Sequence, residues 1–303
     1  MFDHDHHSHE HESGRSLSRA LFITLGFAVV EVVGGWMAHS LALLSDAAHM
    51  VTDSSALGLA VLAAWFARQP ADREHTWGHG RAEALAALAN ALLTLVLVIG
   101  IAWEAVQRLR SPVPVEGGVV LVIAAIGLVF NLWVLRTLSH GHQTLNTRGA
   151  VLHVMGDALG SVAALVSGGV ILWTGWTPID PILSLLICVL VSVSGVRLFN
   201  ESLNVVMEGV PGHLDLEEIG RSMAATPGVA SVHDLHIWQV RSDQIALSAH
   251  VVVRDMVDWI PVLSRLNKML GESHGIQHVT LQPEPIPEVA LPHPKATASR
   301  PSA

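Results

Sequence analysis

The sequence predicts a membrane α-helical protein: six transmembrane helices followed by a small α+β cytoplasmic domain. Three observations carry this expectation. Half of the 303 residues are hydrophobic and only 14% are charged, with a mean hydropathy of +0.46, which is too apolar for a soluble domain. The apolar residues are bunched at 17–36, 41–66, 82–103, 119–138, 150–173 and 181–199, each near the ~20 residues that carry a helix across a bilayer. After about residue 200 the bunching stops and the shorter periodicities of a folded layer begin.

The N-terminal 1–15 reads as a flexible His-rich tail. His4, His6, His7, His9 and His11 are interleaved with acids, a composition that captures metal ions loosely and lacks the apolar content to fold. A purification tag is the alternative, although tags are rarely interleaved with Asp and Glu. No basic n-region or small-residue cleavage site precedes the first apolar stretch, so no signal peptide is expected.

The spans occupy 16–205, and several contain Gly, which membrane helices tolerate. Arginines give the orientation. With the N-terminus inside, the inner flanks hold Arg15, Arg19, Arg68, Arg73, Arg81, Arg136, Arg148 and Arg197, and the outer flanks only Arg108 and Arg110. Positive charge stays inside, so both termini are expected in the cytoplasm. Trp36, Trp65, Trp103, Trp173 and Trp176 fall near span ends, where an amphipathic ring suits the headgroup region. Cys188 is the only cysteine; it excludes an intramolecular disulfide and reads as packing in the sixth span. The net charge of −9 argues against a nucleic-acid partner.

Residues 206–285 read as αββαβ. Leu214, Leu216, Ile219 and Met223 have helical spacing, and 229–240 and 245–253 alternate as strands across the turn Arg241-Ser242-Asp243. Residues 261–271 are helical, with Pro261 in the first turn, and 278–281 form a short last strand. The Pro-rich tail 286–303 is expected to be disordered.

One local pattern occurs twice and carries the chemistry. His49-Met50-Val51-Thr52-Asp53 lies in the second span and His153-Val154-Met155-Gly156-Asp157 in the fifth. Residues four apart share a helix face. Two such faces together present two imidazoles and two carboxylates, a donor set suited to tetrahedral zinc. Ionisable groups inside a span are costly and mark functional paths; the bland reading is an ion pair within each helix. Met50, Val51 and Met155 read as walls of the site. Asp46, one turn before His49, is open to three roles: a helix N-terminal carboxylate, a vestibule group, or a partner that orients a ligand.

Between the second and third spans, Asp72, His75 and His79 read equally as a metal site and as a polar loop with a Gly-containing turn. No G-x-x-x-x-G-K-[ST] motif is present, so no ATP site is expected, nor any organic cofactor.

These motifs, with His79-Gly80-Arg81-Ala82-Glu83, Asn146-Thr147-Arg148-Gly149-Ala150 and Val232-His233-Asp234-Leu235-His236-Ile237-Trp238, resemble the cation diffusion facilitator family. The resemblance runs from about Ser18 to Glu284. It implies a homodimer of six-span protomers in the inner (plasma) membrane, each with a ferredoxin-like cytoplasmic domain, exchanging zinc or a similar cation for protons. Carried over residue by residue, His49, Asp53, His153 and Asp157 form the transport site, and Asp72, His75 and His79 an inner-loop metal site. His233, His250 and Glu284 match positions that bind zinc in some relatives, so zinc is implied as substrate and as a structural or regulatory ligand. Gln282 stands where those relatives have His, and strand packing or dimer contact remains the other reading of His233 and His236. His at position 49 resembles the zinc-preferring members.

The expected mechanism follows from protonation. Zinc binds when the imidazoles are neutral and the carboxylates ionised. Imidazole titrates near neutrality, at an unperturbed pKa of about 6.5. Protons on the outer side then compete for the same lone pairs and displace the metal, and helix rocking supplies alternating access. Other classes fit less well. An intramembrane metalloprotease needs HExxH, which is absent. A bis-His haem protein has no use for Asp at i+4. A non-transporting metal sensor is the main alternative, distinguished by the absence of flux.

Overall fold

The computed structural model describes residues 25–139, 145–241 and 244–286, and of 137–139 and 145–153 the backbone alone. The His-rich tail, residues 17–24 of the first expected span and the tail from 287 lie outside the described residues. The chain divides after Val206 into two units.

The first unit begins with the short apolar helix α1 (Leu25–Met37). It continues with α2 (Leu41–Ala67), α3 (Ala82–Arg110), α4 (Gly117–Ser139), α5 (Leu145–Thr174) and α6 (Ile179–Val206). Among the described residues, these five are long and apolar enough to cross a membrane. Two outrun their apolar stretches because ion pairs one turn apart support the added turns. Arg108 Nε donates to Glu104 at 2.9 Å in α3, and Arg197 Nε to Glu201 at 2.8 Å in α6.

The outer faces stay apolar, with Val61, Val96, Ile99, Val129 and Val193 all well exposed. Trp36, Trp65, Trp103, Trp173 and Trp176 are exposed as well. Contiguous apolar surface on this scale is what a bilayer covers. Inside, small residues let backbones meet. A Cβ on Gly117 would sit 2.8 Å from the Gly168 carbonyl, and one on Gly168 would sit 2.7 Å from the Leu121 nitrogen. Glycine on both sides of this α4–α5 contact is therefore a packing requirement. Cys188 is buried, with its thiol 3.8 Å from the Val98 carbonyl of α3.

One carboxylate ties three of these helices together. Asp180, in the first turn of α6, is fully buried. It accepts from Ser40 Oγ at 2.6 Å, from the Leu41 N–H at 2.6 Å, from the Ala42 N–H at 3.4 Å and from Ser167 Oγ on α5 at 3.1 Å. Ser40 itself caps α2, accepting the Leu43 N–H at 3.3 Å. The first N–H groups of a helix have no partner within it, and its N-terminus carries partial positive charge. A buried carboxylate from a neighbouring helix answers both needs of α2.

The second unit is an α+β layer. Helix α7 (Leu216–Ala224) is capped by Asp215, which accepts from the N–H groups of Glu217 and Glu218. Strand β1 (Val229–Arg241) pairs antiparallel with β2 (Gln244–Val253), and β2 pairs parallel with β3 (His278–Pro285). A single 3₁₀ turn (Met256–Asp258) leads into α8 (Trp259–His274), which ends at Gly275 in the left-handed region at φ 70°. The expected αββαβ order is present in a three-stranded sheet of order β1-β2-β3. Its core is formed by Ile219 and Met223 of α7, Val262, Leu266 and Leu270 of α8, and Ile237, Leu247 and Val251 of the sheet.

The last strand runs through Pro283 to Pro285 rather than ending at Leu281. An edge strand needs donors on one side only, so proline is accepted there.

Replacing Asp180 by Ala leaves the Leu41 N–H and two hydroxyls without their acceptor inside the bundle. Hydrogen bonds to a charged group are each worth roughly 1.5–3 kcal/mol, so Asp180→Ala is expected to lower stability by at least about 3 kcal/mol. Unfolding of the full chain in lipid or detergent, followed by circular dichroism, measures this.

Candidate metal centre

Helix α2 is regular through His49 and Asp53, and their four-residue spacing sets both side chains on one face. His49 Nδ1 lies 3.4 Å from Asp53 Oδ2. The other ring nitrogen, Nε2, lies 3.5 Å from Asp157 Oδ1 on α5. The imidazole is thus flanked by one carboxylate from each helix, and one ligand atom from each of the three residues falls within 4.8 Å of the others. His153 is in α5 one turn before Asp157; its side chain lies outside the described residues.

Neighbouring groups are otherwise engaged. Thr52 Oγ1 donates to the Ala48 carbonyl at 2.7 Å and Ser55 Oγ to that of Val51 at 2.5 Å. A cavity of about 510 Å³ opens beside His49, lined by Asp46, Gly156, Leu159, Leu186 and Ile187 among others. Met50 is buried, whereas Val51 and Met155 are exposed by 36% and 47%. None of the three lines this cavity, since each step along a helix rotates the side chain by about 100°.

Asp46 accepts a hydrogen bond from Ser161 Oγ of α5 at 3.2 Å, and Asn131 Nδ2 of α4 donates to Ser161 at 3.1 Å. Gly160 provides the room, since a Cβ there would run into the Asp46 carboxylate. Asp46 is therefore anchored to α5 and is not one of the three converging ligands. Sequence reasoning passed over its neighbour Glu31, fully buried in α1. The signal was present, because an acid inside an apolar stretch is itself informative.

The loop between α2 and α3 gathers a second set. Asp72 Oδ1 accepts the N–H groups of Glu74 at 2.8 Å and His75 at 2.6 Å, and lies 3.2 Å from His75 Nδ1. The His75 N–H, and then that of Glu74, hold the Asp72 carboxyl below the usual carboxylate range, so it is ionised at neutral pH. The His75 and His79 rings are 4.5 Å apart, and ligand atoms of all three residues converge within 4.8 Å. His79 Nδ1 is buried with no hydrogen-bond partner among the described residues, which suits an ion ligand better than a purely structural histidine.

In the second unit, strand register builds a third set. His233 on β1 pairs with His250 on β2, which pairs with Gln282 on β3. Glu284, two residues on, points to the same face. Its carboxylate bridges the rings, Oε2 at 2.9 Å from His233 Nε2 and Oε1 at 2.9 Å from His250 Nδ1.

Asp234 also joins, 3.0 Å from His236 Nε2 and 3.7 Å from His250 Nε2. A break in register between His233 and His236 and a left-handed φ of 52° at Asp234 turn it toward this face. The sequence hint was an Asp, a residue that tolerates this conformation, between histidines three apart rather than two.

Comparison with known proteins agrees with this organisation. Residues 17–207 match the family model described as the cation efflux transmembrane domain, and 211–286 that of the cation efflux protein cytoplasmic domain. The chain is 44% identical over 289 residues to the zinc transporter ZitB of Escherichia coli, covering 92% of each. It is 45% identical over 285 residues to the metal cation efflux system protein CzcD of Cupriavidus metallidurans, covering 93% of this chain and 90% of the relative. A cadmium, cobalt and zinc/H(+)-K(+) antiporter of Bacillus velezensis is 38% identical over 288 residues, covering 92% and 91%. With both family models in chain order and these relatives matched over nearly their whole length, the protein belongs to the cation efflux family, the cation diffusion facilitators.

Proposed function

We propose that this protein exports zinc, or a similar divalent cation, from the cytoplasm in exchange for protons, by alternating access through His49, Asp53, His153 and Asp157. The carrying observation is the meeting of the two repeated motifs, with the His49 imidazole held between Asp53 of its own helix and Asp157 of α5. The 3.5 Å from Nε2 to Asp157 Oδ1 is wider than the 2.7–2.9 Å usual for a charge-assisted hydrogen bond, taken as about those values. It is close to the ligand–ligand edge of a zinc tetrahedron, about 3.4 Å for arms of about 2.05 Å. Two carboxylates and two neutral imidazoles leave the occupied site roughly neutral, which makes its burial tolerable. Zinc as the cargo is supported by the names of the ZitB relatives, and proton exchange by that of the Bacillus relative.

The same reading assigns six spans with α1 as part of the first, domain limits at 16–205 and 206–285, both termini in the cytoplasm, and no enzymatic activity. It places the protein in the inner membrane as a homodimer, a state supported by the match to the family's cytoplasmic domain, with the second unit ferredoxin-like. Asp72, His75 and His79 receive cytoplasmic zinc at the inner loop. His233, His250 and Glu284 hold zinc in the cytoplasmic domain, with Asp234 as an added carboxylate.

Flux into proteoliposomes under an imposed pH gradient tests the central claim. Removing one partner from a buried charged set costs roughly 3–5 kcal/mol. Asp157→Ala is therefore expected to weaken zinc binding and uptake more than about a hundredfold; normal transport by this variant would refute the site. Competitive flux of zinc and cadmium tests selectivity, where His49→Asp is expected to move preference toward cadmium. Gln282→His adds an imidazole at the position paired with His250. Its zinc affinity, measured by titration calorimetry, is expected to rise on the order of tenfold over wild type at this site.

A further inference from the structure

The transport ligands leave one buried acid of the bundle unused. Glu31 is 0% exposed and lies on α1, a helix that carries none of the four transport ligands. Both of its carboxylate oxygens are buried, and neither meets a hydrogen-bond donor among the described residues. Within hydrogen-bonding reach stands another acceptor, the Asp46 carboxylate of α2, itself 1% exposed. Gly127 of α4 makes room on the other side, where a Cβ would approach Glu31 Oε1 to 3.2 Å.

Among the described residues, the charged groups acting on Glu31 are Asp46 on α2 and Asp157 on α5, with no Lys or Arg beside them. Among the described residues, α4 and α5 also bring the neutral Asn131 and Ser161 near the pair, their bonds ending on Asp46, and His49 of α2 lines the same cavity as Asp46. Two ionised carboxylates cannot face each other in a dry interior without a cation between them. A third ligand that would make this a metal site is missing: the ion-sized clusters of the described residues do not include the pair. The simplest cation that bonds two acceptors at once is a proton, as in carboxyl dyads that hold one between them.

We infer that Glu31 and Asp46 share one proton and form a proton-binding site separate from the metal ligands. Physical linkage makes it part of the exchange. Metal at the transport site adds two positive charges beside Asp157, one of the groups acting on Glu31, and so loosens the pair's hold on its proton. By reciprocity a proton on the pair weakens metal binding by the same factor. Asp46 of the pair and His49 of the transport site line one cavity. The coupling rests on the antiport reading above, whereas the shared proton does not.

Two measurements on the full chain in lipid bilayers decide the matter. Infrared spectra of metal-free protein are expected to show a carboxylic-acid carbonyl band in wild type that is lost in Glu31→Gln, whose amide donates to Asp46 in the proton's place. Persistence of the whole band in that variant would overturn the shared proton, and this holds even if wild type moves no metal. Titration calorimetry with zinc in buffers of different ionisation enthalpy counts the protons released per zinc. Glu31→Gln is expected to release about one fewer, the single proton a dyad holds, with zinc stoichiometry unchanged. Asp46→Asn provides the second arm, expected to lose the same proton, with no further loss in the double variant. An unchanged proton count, or additive losses in the double variant, would refute the coupling. Loss of zinc stoichiometry in Glu31→Gln would make Glu31 a ligand instead and equally refute it. Absence of zinc flux in wild type would sink the export reading and leave the infrared result standing.

Discussion

The arrangement of the membrane unit depends on a single buried carboxylate. Asp180 begins α6, closes the N-terminus of α2 and accepts from Ser167 of α5. Helices α2 and α5 are the two that carry the repeated motif, so their axial register is fixed at this point. His49 lies nine positions after Ser40, and Ser167 lies ten positions after Asp157. At about 1.5 Å per residue, both motifs therefore lie at nearly equal depth below the Asp180 tie. Matching depth is what lets His49 reach Asp157 at all. The glycine contact of α4 with α5 adds lateral closeness, but the carboxylate sets the height.

The membrane unit also shows where polar groups belong when water is excluded. Several of its hydroxyls are absorbed by helix carbonyls, as at Thr52, Ser55, Thr94 and Ser192. The described hydroxyls that reach across helices instead gather at two places, Asp180 with its donors and the chain from Asn131 through Ser161 to Asp46. One serves shape. The other stands beside the cavity of His49.

Much of this was legible in the sequence, for reasons that differ by residue. His49, Asp53 and Asp157 could be found because helical spacing and the cost of charge in a span act on local sequence, and the structure brings these three together. Asp72, His75 and His79 are near enough in sequence for a loop to join them. His233, His250 and Glu284 come together only through strand register, which no local pattern states, and a family resemblance supplied them. The αββαβ order was readable from periodicity, but the length of β3 was not, since its last residues include two prolines, which a strand accepts only at an edge that pairing decides. Asp180 and Glu31 were legible only as acids near or within apolar stretches. Their partners lie on other helices, so tertiary packing rather than local sequence decides what each acid meets.

The prolines of β3 bear on how copies of the cytoplasmic unit meet. Pro283 and Pro285 fall at alternate positions of the terminal strand of the sheet, so their missing donors lie on the side turned away from β2. That open edge cannot run a continuous ladder with another strand. At the opposite edge, β1 breaks register three times against β2, and a kinked strand is a poor template for a neighbour. Both borders are thus guarded against joining sheets end to end, a route that leads to open-ended aggregates. The proposed pairing of this unit would then fall to its faces, where a closed pair can form and stop.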